Sequence, residues 1–268
     1  MQVIGLCRFS YPAEGGFQVA HDSIAERIAY LYDPARLEDR FRHFETLCLP
    51  GLKAQTDPDF TLLILTGDSL PGWARDRLTD LCRDFPQARI LQQPPMPHRK
   101  VCNTVLNDAR APGAPCLQFR HDDDDAVAVD FVARLRAAAR DAAPLIARER
   151  HVAIDFNRGF VAEAGPDGIC ASESVHPFWG VALAMAVNAG VRQTIMNFAH
   201  SKMPRFMPSL SYTDSAMYVR GHNRFNDSRQ GDKTRIENLL PLGPEAERLF
   251  ADRFAIDCDQ VRRAFATA

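Results

Sequence analysis

The sequence predicts an α/β protein forming one compact domain, a mostly parallel sheet flanked by helices. Three observations predict it. Up to Phe119, short apolar runs alternate four times with stretches of helical periodicity, and such alternation favours parallel strands joined by right-handed crossovers. Phe60 to Thr66 is apolar almost without interruption, the pattern of a strand covered on both faces. The fourth predicted strand ends in four consecutive aspartates, Asp122 to Asp125, at the edge where open α/β sheets bind ligands.

Taken in order, Val3 to Cys7 is the first strand, and Ser10, Pro12, Gly15 and Gly16 mark the loop that runs from Arg8 to Gly16. Leu37, Phe41, Phe44 and Cys48 fall at i, i+4, i+7 and i+11, which predicts an amphipathic helix over 34–49. Pro50 and Gly51 punctuate its end. After the buried strand at 60–66 and a loop over 67–72, Ala74, Leu78, Leu81 and Phe85 mark a helix. A short strand at 88–91 follows. Pro94, Pro95 and Pro97 make 92–98 extended, and Val101, Val105 and Ala109 predict a helix over 100–109. Then come the strand at 116–121, the aspartates, and a helix from Ala126 to Ala143 carried by Val127, Phe131 and Leu135.

The second half is less regular. It reads as a strand at 152–156, a hairpin partner at 160–164, helices over 178–187 and 191–198, and a short strand at 217–220. Two helical stretches follow Pro244. No repeat or low-complexity linker divides the chain. The expected organisation is one structural domain with two functional stretches, 1–126 and 127–268.

Composition narrows the partners. With 268 residues, 46% apolar and 25% charged, the chain can bury a sizeable core. A net charge of −2 and a pI near 6.4 give no reason to expect nucleic acid. The 7 cysteines are odd in number and form no Cys-x-x-Cys pair. Reduced thiols in a cytoplasmic setting are therefore expected, rather than a disulfide frame or a zinc site. No signal-like N-terminal stretch or transmembrane segment is visible, and peripheral membrane contact stays open.

The aspartates carry the chemistry. Four adjacent carboxylates repel one another unless something cationic is held there, and Mg²⁺ or Mn²⁺ takes carboxylate and phosphate oxygens. The plainer alternative is an acidic helix cap. A divalent ion between close carboxylates at a rigid strand end can bridge a diphosphate and stabilise charge on a departing phosphate. Arg99, Lys100 and Asn103 open a helix upstream and make an anion site, or simply an exposed first turn. Arg8, directly after the first strand, faces the same edge or plain solvent.

Gln118-Phe119-Arg120-His121-Asp122-Asp123-Asp124-Asp125-Ala126 resembles the metal-binding Asp-x-Asp segment of GT-A-fold glycosyltransferases. Leu52-Lys53-Ala54-Gln55-Thr56-Asp57 and His98-Arg99-Lys100-Val101-Cys102-Asn103 are similar to segments of family 2 glycosyltransferases. Together with the segment from Gly221-His222-Asn223 to Arg229, most of the chain resembles a bacterial rhamnosyltransferase group. The resemblance implies a GT-A-like sheet and a metal-dependent glycosyltransferase moving sugar from a nucleotide-diphosphate sugar to a glycan or other hydroxyl acceptor. Surface polysaccharide is one such acceptor.

By the same resemblance, Asp122, Asp124 and His222 would hold Mn²⁺ or Mg²⁺. Arg8, Arg99, Lys100, Asn103, Arg120, Asp122 and Asp123 would meet the donor, with Asp125 supporting. A base must also take the acceptor proton in an inverting reaction. Asp155, Glu173 and Asp214 have the chemistry; Asp214, near the His222 segment, is preferred over Asp155. No Glu-Asp pair follows downstream, so inverting and retaining courses both stay open. Two alternatives remain: a haloacid-dehalogenase-like phosphatase built on Asp123-x-Asp125, with Gly231-Asp232 as its later acidic motif, and a non-catalytic sugar- or cation-binding module.

Overall fold

The computed structural model describes residues 1–15, 21–223 and 238–266. In chain order it contains β1 (Gln2–Arg8), α1 (Ile24–Leu31), α2 (Pro34–His43), a π turn at Phe44–Cys48, α3 (Leu49–Lys53), β2 (Thr61–Gly67), α4 (Gly72–Leu81), β3 (Ala88–Gln93), α5 (His98–Asp108) and β4 (Cys116–Asp122). Then follow β5 (Ala126–Val127), α6 (Phe131–Asp141), α7 (Ala143–Arg148), β6 (His151–Phe156), β7 (Arg158–Gly165), β8 (Gly168–Val175) and β9 (Leu183–Val187). Two 3₁₀ turns, Ile195–Asn197 and His200–Arg205, lead to β10 (Ser209–Tyr212), β11 (Tyr218–Gly221), β12 (Leu240–Pro241), α8 (Pro244–Phe254) and α9 (Cys258–Ala266).

The main sheet has seven strands in the order β3-β2-β1-β4-β9-β6-β10. All run parallel except β9, which opposes β4 and β6. This is the mostly parallel sheet that the sequence predicts. It draws strands from both sides of residue 126, so the two stretches share one sheet. A second sheet, β12-β8-β7-β11-β5, packs beside it. One face of the main sheet is covered by α2, α4 and α6, the other by α5 and the 3₁₀ turns.

Several elements depart from the sequence reading. The helix that begins at Pro34 does not stop at Pro50. The π turn at Phe44–Cys48 widens the helix just before the proline, and the chain continues as α3. Pro50 falls in the first turn of that next segment, where its missing N–H costs nothing. Gly51 is a packing residue rather than a stop: a Cβ there would lie 2.2 Å from the Val127 carbonyl oxygen. Ala126 and Val127 pair with Val219 and Tyr218 instead of opening a helix, and α6 begins only at Phe131. β7 does not return along β6. It pairs with β8 and β11 in the second sheet.

The expected helix over 178–187 is a strand with an irregular approach. Phe178 and Ala182 adopt left-handed backbone (φ 54° and 49°) and Gly180 has φ 104°. Leu183–Val187 then slots between β4 and β6, buried throughout. A five-residue apolar run has no periodicity of its own, and the slot between two strands decides it. The expected helix over 191–198 is only the short turn at Ile195–Asn197, capped by Thr194.

Two N-caps fix the first helices. Ser23 accepts from the Glu26 N–H, and Asp33 accepts from the Arg36 N–H with Pro34 beginning α2. Behind them Phe9 meets the rings of Phe41 and Phe44 at 4.8 and 5.1 Å, which anchors α2 against the end of β1. Gly16, the stretch from Arg224 to Arg229 and Gly231-Asp232 lie outside the described residues.

Candidate functional site

The carboxyl ends of β1, β4 and β6 lie along one edge, and strand alternation decides what they present there. Arg8 pairs across β1 and β4 with Asp122, and Leu6 pairs with Arg120. Residues of this parity (Ile4, Leu6, Cys116) belong to the α5-side core. Arg8, Arg120 and Asp122 therefore emerge on that side. Asp155 of β6 is level with Leu183 of β9, and Leu183 belongs to the same core. The register carries Arg120, Leu183 and Asp155 along one row, so Arg120 and Asp155 stand two strand spacings apart, about 10 Å.

The first helix turn of α5 closes one side of this edge. The His98 backbone N–H donates to the Glu14 carbonyl at 3.1 Å, Tyr11 donates to the Pro94 carbonyl at 2.7 Å, and Arg27 holds the Ala13 carbonyl. These bonds pin the loop after β1 against the proline-rich approach to α5. The His98 ring nitrogen lies 3.1 Å from Arg8. Burial, and then the Arg8 charge, lowers the His98 pKa to about 4. Arg99 and Lys100 are exposed on the same turn. Asn103 Oδ1 accepts from the Thr194 hydroxyl, which ties α5 to the 3₁₀ turn.

The opposite side is a strap from Phe178 to Gly180. The Phe178 N–H donates to Asp155 Oδ2 at 3.0 Å, and the Phe178 carbonyl is 2.6 Å from His200 Nδ1. Trp179 stacks on His176 at 4.6 Å and lies under the Arg220 guanidinium at 4.8 Å. Asp155 is 1% exposed; its Oδ2 also accepts from the Ser211 hydroxyl, while Oδ1 has no partner among the described residues. Burial raises its pKa to about 6, against the opposing effect of the Phe178 N–H.

The four aspartates divide. Asp122 pairs with Arg8 and keeps 37% of its side chain exposed. Burial would push its carboxyl up, but Arg8 and then Arg120 and Arg220 hold it well below the usual carboxylate range. The other three turn inward. Arg40 reaches Asp123 at 3.1 Å and Asp124 at 3.0 Å, with its own side chain 5% exposed. The Asn223 amide donates to Asp124 at 2.7 Å, and the Gly221 N–H donates to Asp125 at 3.0 Å. Burial, only partly offset by Arg40, raises Asp123 to about 6; burial and then the neighbouring Asp124 raise Asp125 well above the ordinary value.

The structure thus supplies arginines where the sequence argument asked for a cation. The expected ligand set of Asp122, Asp124 and His222 is not assembled. Asp124 is buried against Arg40 and Asn223, while His222 is exposed between Gly221 and Asn223, which do bond the tetrad. Among the described residues no three His, Cys, Asp or Glu side chains gather as a metal site. Asp214 sits on the other face of the sheet, paired at 2.6 Å with Arg134 of α6. Glu173 pairs with Arg158 at 3.5 Å in the second sheet.

Sequence reasoning missed Arg40, Arg220, His98, His200 and Trp179. Arg40 left a signal: Arg36 and Arg40 are four apart, beside the Leu37–Phe41 stripe, so that two arginines share a helix face with core residues. Both are buried. The others are single residues from distant segments and left none.

At the carboxyl edge of this α/β sheet guanidiniums gather around one accessible carboxylate, with a buried carboxyl about 10 Å away. The comparisons name the class. A family model described as "Putative rhamnosyl transferase" matches residues 2–235, and the chain belongs to this family of glycosyltransferases. The phosphatase and the non-catalytic module are set aside by that membership. Among solved structures, residues 1–349 of S. aureus TarS in complex with UDP-GlcNAc match with 13% identity over 85% of this chain and 60% of that chain, at a TM-score of 0.44. The same fragment in complex with UDP matches with 11% identity over 83% and 61%, at a TM-score of 0.45. The chain spans about 60% of those TarS fragments. No curated protein matches. No helix among the described residues is long and apolar enough to cross a membrane.

Proposed function

We propose that the protein transfers a sugar, rhamnose by its family, from a nucleotide-diphosphate sugar to a hydroxyl of a glycan or similar acceptor. One observation carries the reading. The Arg120 side chain makes no hydrogen bond or ion pair among the described residues, and it stands beside Arg8, Arg220 and Asp122 at the ligand edge of the sheet. A buried-edge guanidinium without a partner is a poor structural element and a good phosphate donor. Arg99, Lys100 and the N-terminus of α5 extend the same positive field.

The acceptor would lie toward Asp155. Its hydroxyl oxygen attacks the anomeric carbon, the bond from that carbon to the phosphate oxygen breaks with its electron pair, and the proton passes to the Asp155 carboxylate. The guanidiniums balance the charge that collects on the departing diphosphate. A separation of about 10 Å leaves room for a sugar ring between leaving group and base, and one such displacement inverts the anomeric centre. Asp155 is preferred to Asp214 because it shares a sheet face with Arg120. As for Mn²⁺ or Mg²⁺, the described residues offer Asp122 alone, already held by Arg8, so they do not fit a protein-held ion. Seven cysteines without a disulfide support a cytoplasmic setting.

The test is a thermal-shift series with UDP-, GDP- and dTDP-linked sugars on the wild type and on Arg120→Ala. The expected result is stabilisation by one nucleotide class, lost in the variant. Absence of a shift with every donor would sink the reading.

A further inference from the structure

We infer that the donor's diphosphate is bound by an arginine cradle of Arg8, Arg120 and Arg220, in which Asp122 is a resident carboxylate that the phosphates displace rather than a ligand for a divalent cation. This rests on the proposed donor reading and deepens it.

Three facts support it. First, three guanidiniums, Arg8, Arg120 and Arg220, act on Asp122, the one tetrad carboxylate with an exposed surface. Second, the remaining aspartates have their own partners. Arg40 takes Asp123 and Asp124, Asn223 takes Asp124, and the Gly221 N–H takes Asp125. Opening them toward a cation would take two carboxylates from Arg40, whose side chain is 5% exposed. Third, the cradle is held from three directions. Arg8 is on β1 and braced by His98; Arg120 is on β4 and lies 3.9 Å from the position a Cβ on Gly180 would take; Arg220 is on β11 and lies over Trp179. A guanidinium meets phosphate oxygens through two parallel N–H groups, as it meets a carboxylate. A diphosphate entering the cradle therefore replaces Asp122 on Arg8 by a group of the same geometry and higher charge. It also gives Arg120 the partner it lacks.

The inward aspartates also fix the segment after β11. The bonds from Gly221 and Asn223 fix the end of β11 to the turn after β4, and Arg220 beside them lies over Trp179 and acts on Asp122. Asp124 and Asp125 are thus positioning residues for Arg220.

The experiment is calorimetric titration of the full chain with UDP, GDP, dTDP and CDP, each in EDTA and in Mn²⁺. It is repeated on Arg120→Ala, Arg120→Lys and Asp122→Asn. The expected result is that one nucleoside diphosphate binds in EDTA about as tightly as in Mn²⁺. Arg120→Ala should weaken it by roughly tenfold or more, with partial recovery in Arg120→Lys, and Asp122→Asn should leave it equal or tighter. Binding that requires Mn²⁺ and is lost in Asp122→Asn would overturn the cradle while leaving the donor reading intact. No binding by any nucleoside diphosphate in either condition would overturn both. The Arg120 side chain has no hydrogen bond or ion pair to another described residue, and the melting temperature of the unliganded variants separates loss of binding from loss of folding.

Discussion

Asp122 and the three aspartates that follow it share one side chain and differ in their surroundings. Asp122 ends β4 on the α5 side of the sheet, partly exposed, with guanidiniums around it. One residue later the chain turns, and Asp123, Asp124 and Asp125 enter a closed pocket of Arg40, Asn223 and the Gly221 backbone. The difference teaches that a run of like charges is not a single functional unit. Strand parity and the turn after β4 assign one carboxylate to the ligand edge and three to the architecture. The two environments should respond oppositely to mutation and to pH.

The largest effect is expected at the far end of the ligand edge. Asp155→Asn should lower kcat by about 10²–10⁴-fold with little loss of stability, since it removes a buried carboxyl rather than a paired one. The folded pKa is raised to about 6 by burial, and a base works only when ionised. Activity of the wild type should therefore fall as pH drops through about 6, and the pH profile of kcat in the variant should lose that acid limb. A full-activity Asp155→Asn enzyme would remove Asp155 from the chemistry and leave it as the anchor of Phe178.

Next comes the closed pocket. Arg40→Met leaves Asp123 and Asp124 buried without their counter-charge, a change that costs about 3–5 kcal/mol in comparable buried pairs. Urea denaturation should show it, and adding Asp123→Asn and Asp124→Asn to the same chain should recover part of the loss. The pH response separates the two regions. Asp123 is raised from 3.8 to about 6; its contribution to stability is fully present below the ordinary value and is lost as pH rises through about 6. Asp122 is depressed; its contribution is present above the ordinary value and disappears only in acid. Denaturation midpoints should therefore fall between pH 3.8 and about 6, with a smaller slope in Asp123→Asn and the same slope in Asp122→Asn.

Gly51→Ala tests the packing behind the pocket. A Cβ would meet the Val127 carbonyl oxygen at 2.2 Å, a backbone atom that cannot swing aside as the end of a flexible side chain would. A loss of about 1–3 kcal/mol is expected from overpacking, measured by the same denaturation. An unchanged midpoint would mean that α3 shifts freely against β5.

These contrasts also show how much the sequence discloses. The four parallel strands of the first half are legible because each is an apolar run between helical stripes, and the aspartates stand at the predicted strand end. Arg8 and Arg120 are legible as ligand-edge residues for the same reason. The division of the tetrad is not, because it depends on Arg40 and on Asn223, which reach it from 83 and 99 residues away. β9 is illegible locally: Leu183–Val187 is too short and too uniformly apolar to declare a period, and its place between β4 and β6 is a tertiary fact. Pro50 and Gly51 mislead because helix-breaking residues also serve packing, and only the approach of Val127 reveals which role applies.

Asp214 closes the comparison with the smallest effect. Sequence proximity to the His222 segment favoured it as the base, yet its neighbours argue otherwise. It follows Tyr212, whose ring stacks on Phe156 on the α6 face, and its carboxylate meets Arg134 of that helix at 2.6 Å. The hydrogen bond from Arg134 lowers its pKa, so Asp214 is a weaker base than an ordinary aspartate and lies across the sheet from Arg120. The pair is largely solvent-exposed, and such pairs are worth about 0–1 kcal/mol. Asp214→Asn should therefore shift stability by no more than that and leave kcat and its acid limb in place. If kcat instead collapsed while Asp155→Asn kept its activity, the two faces of the sheet would exchange roles, and the acceptor would have to approach from the α6 side.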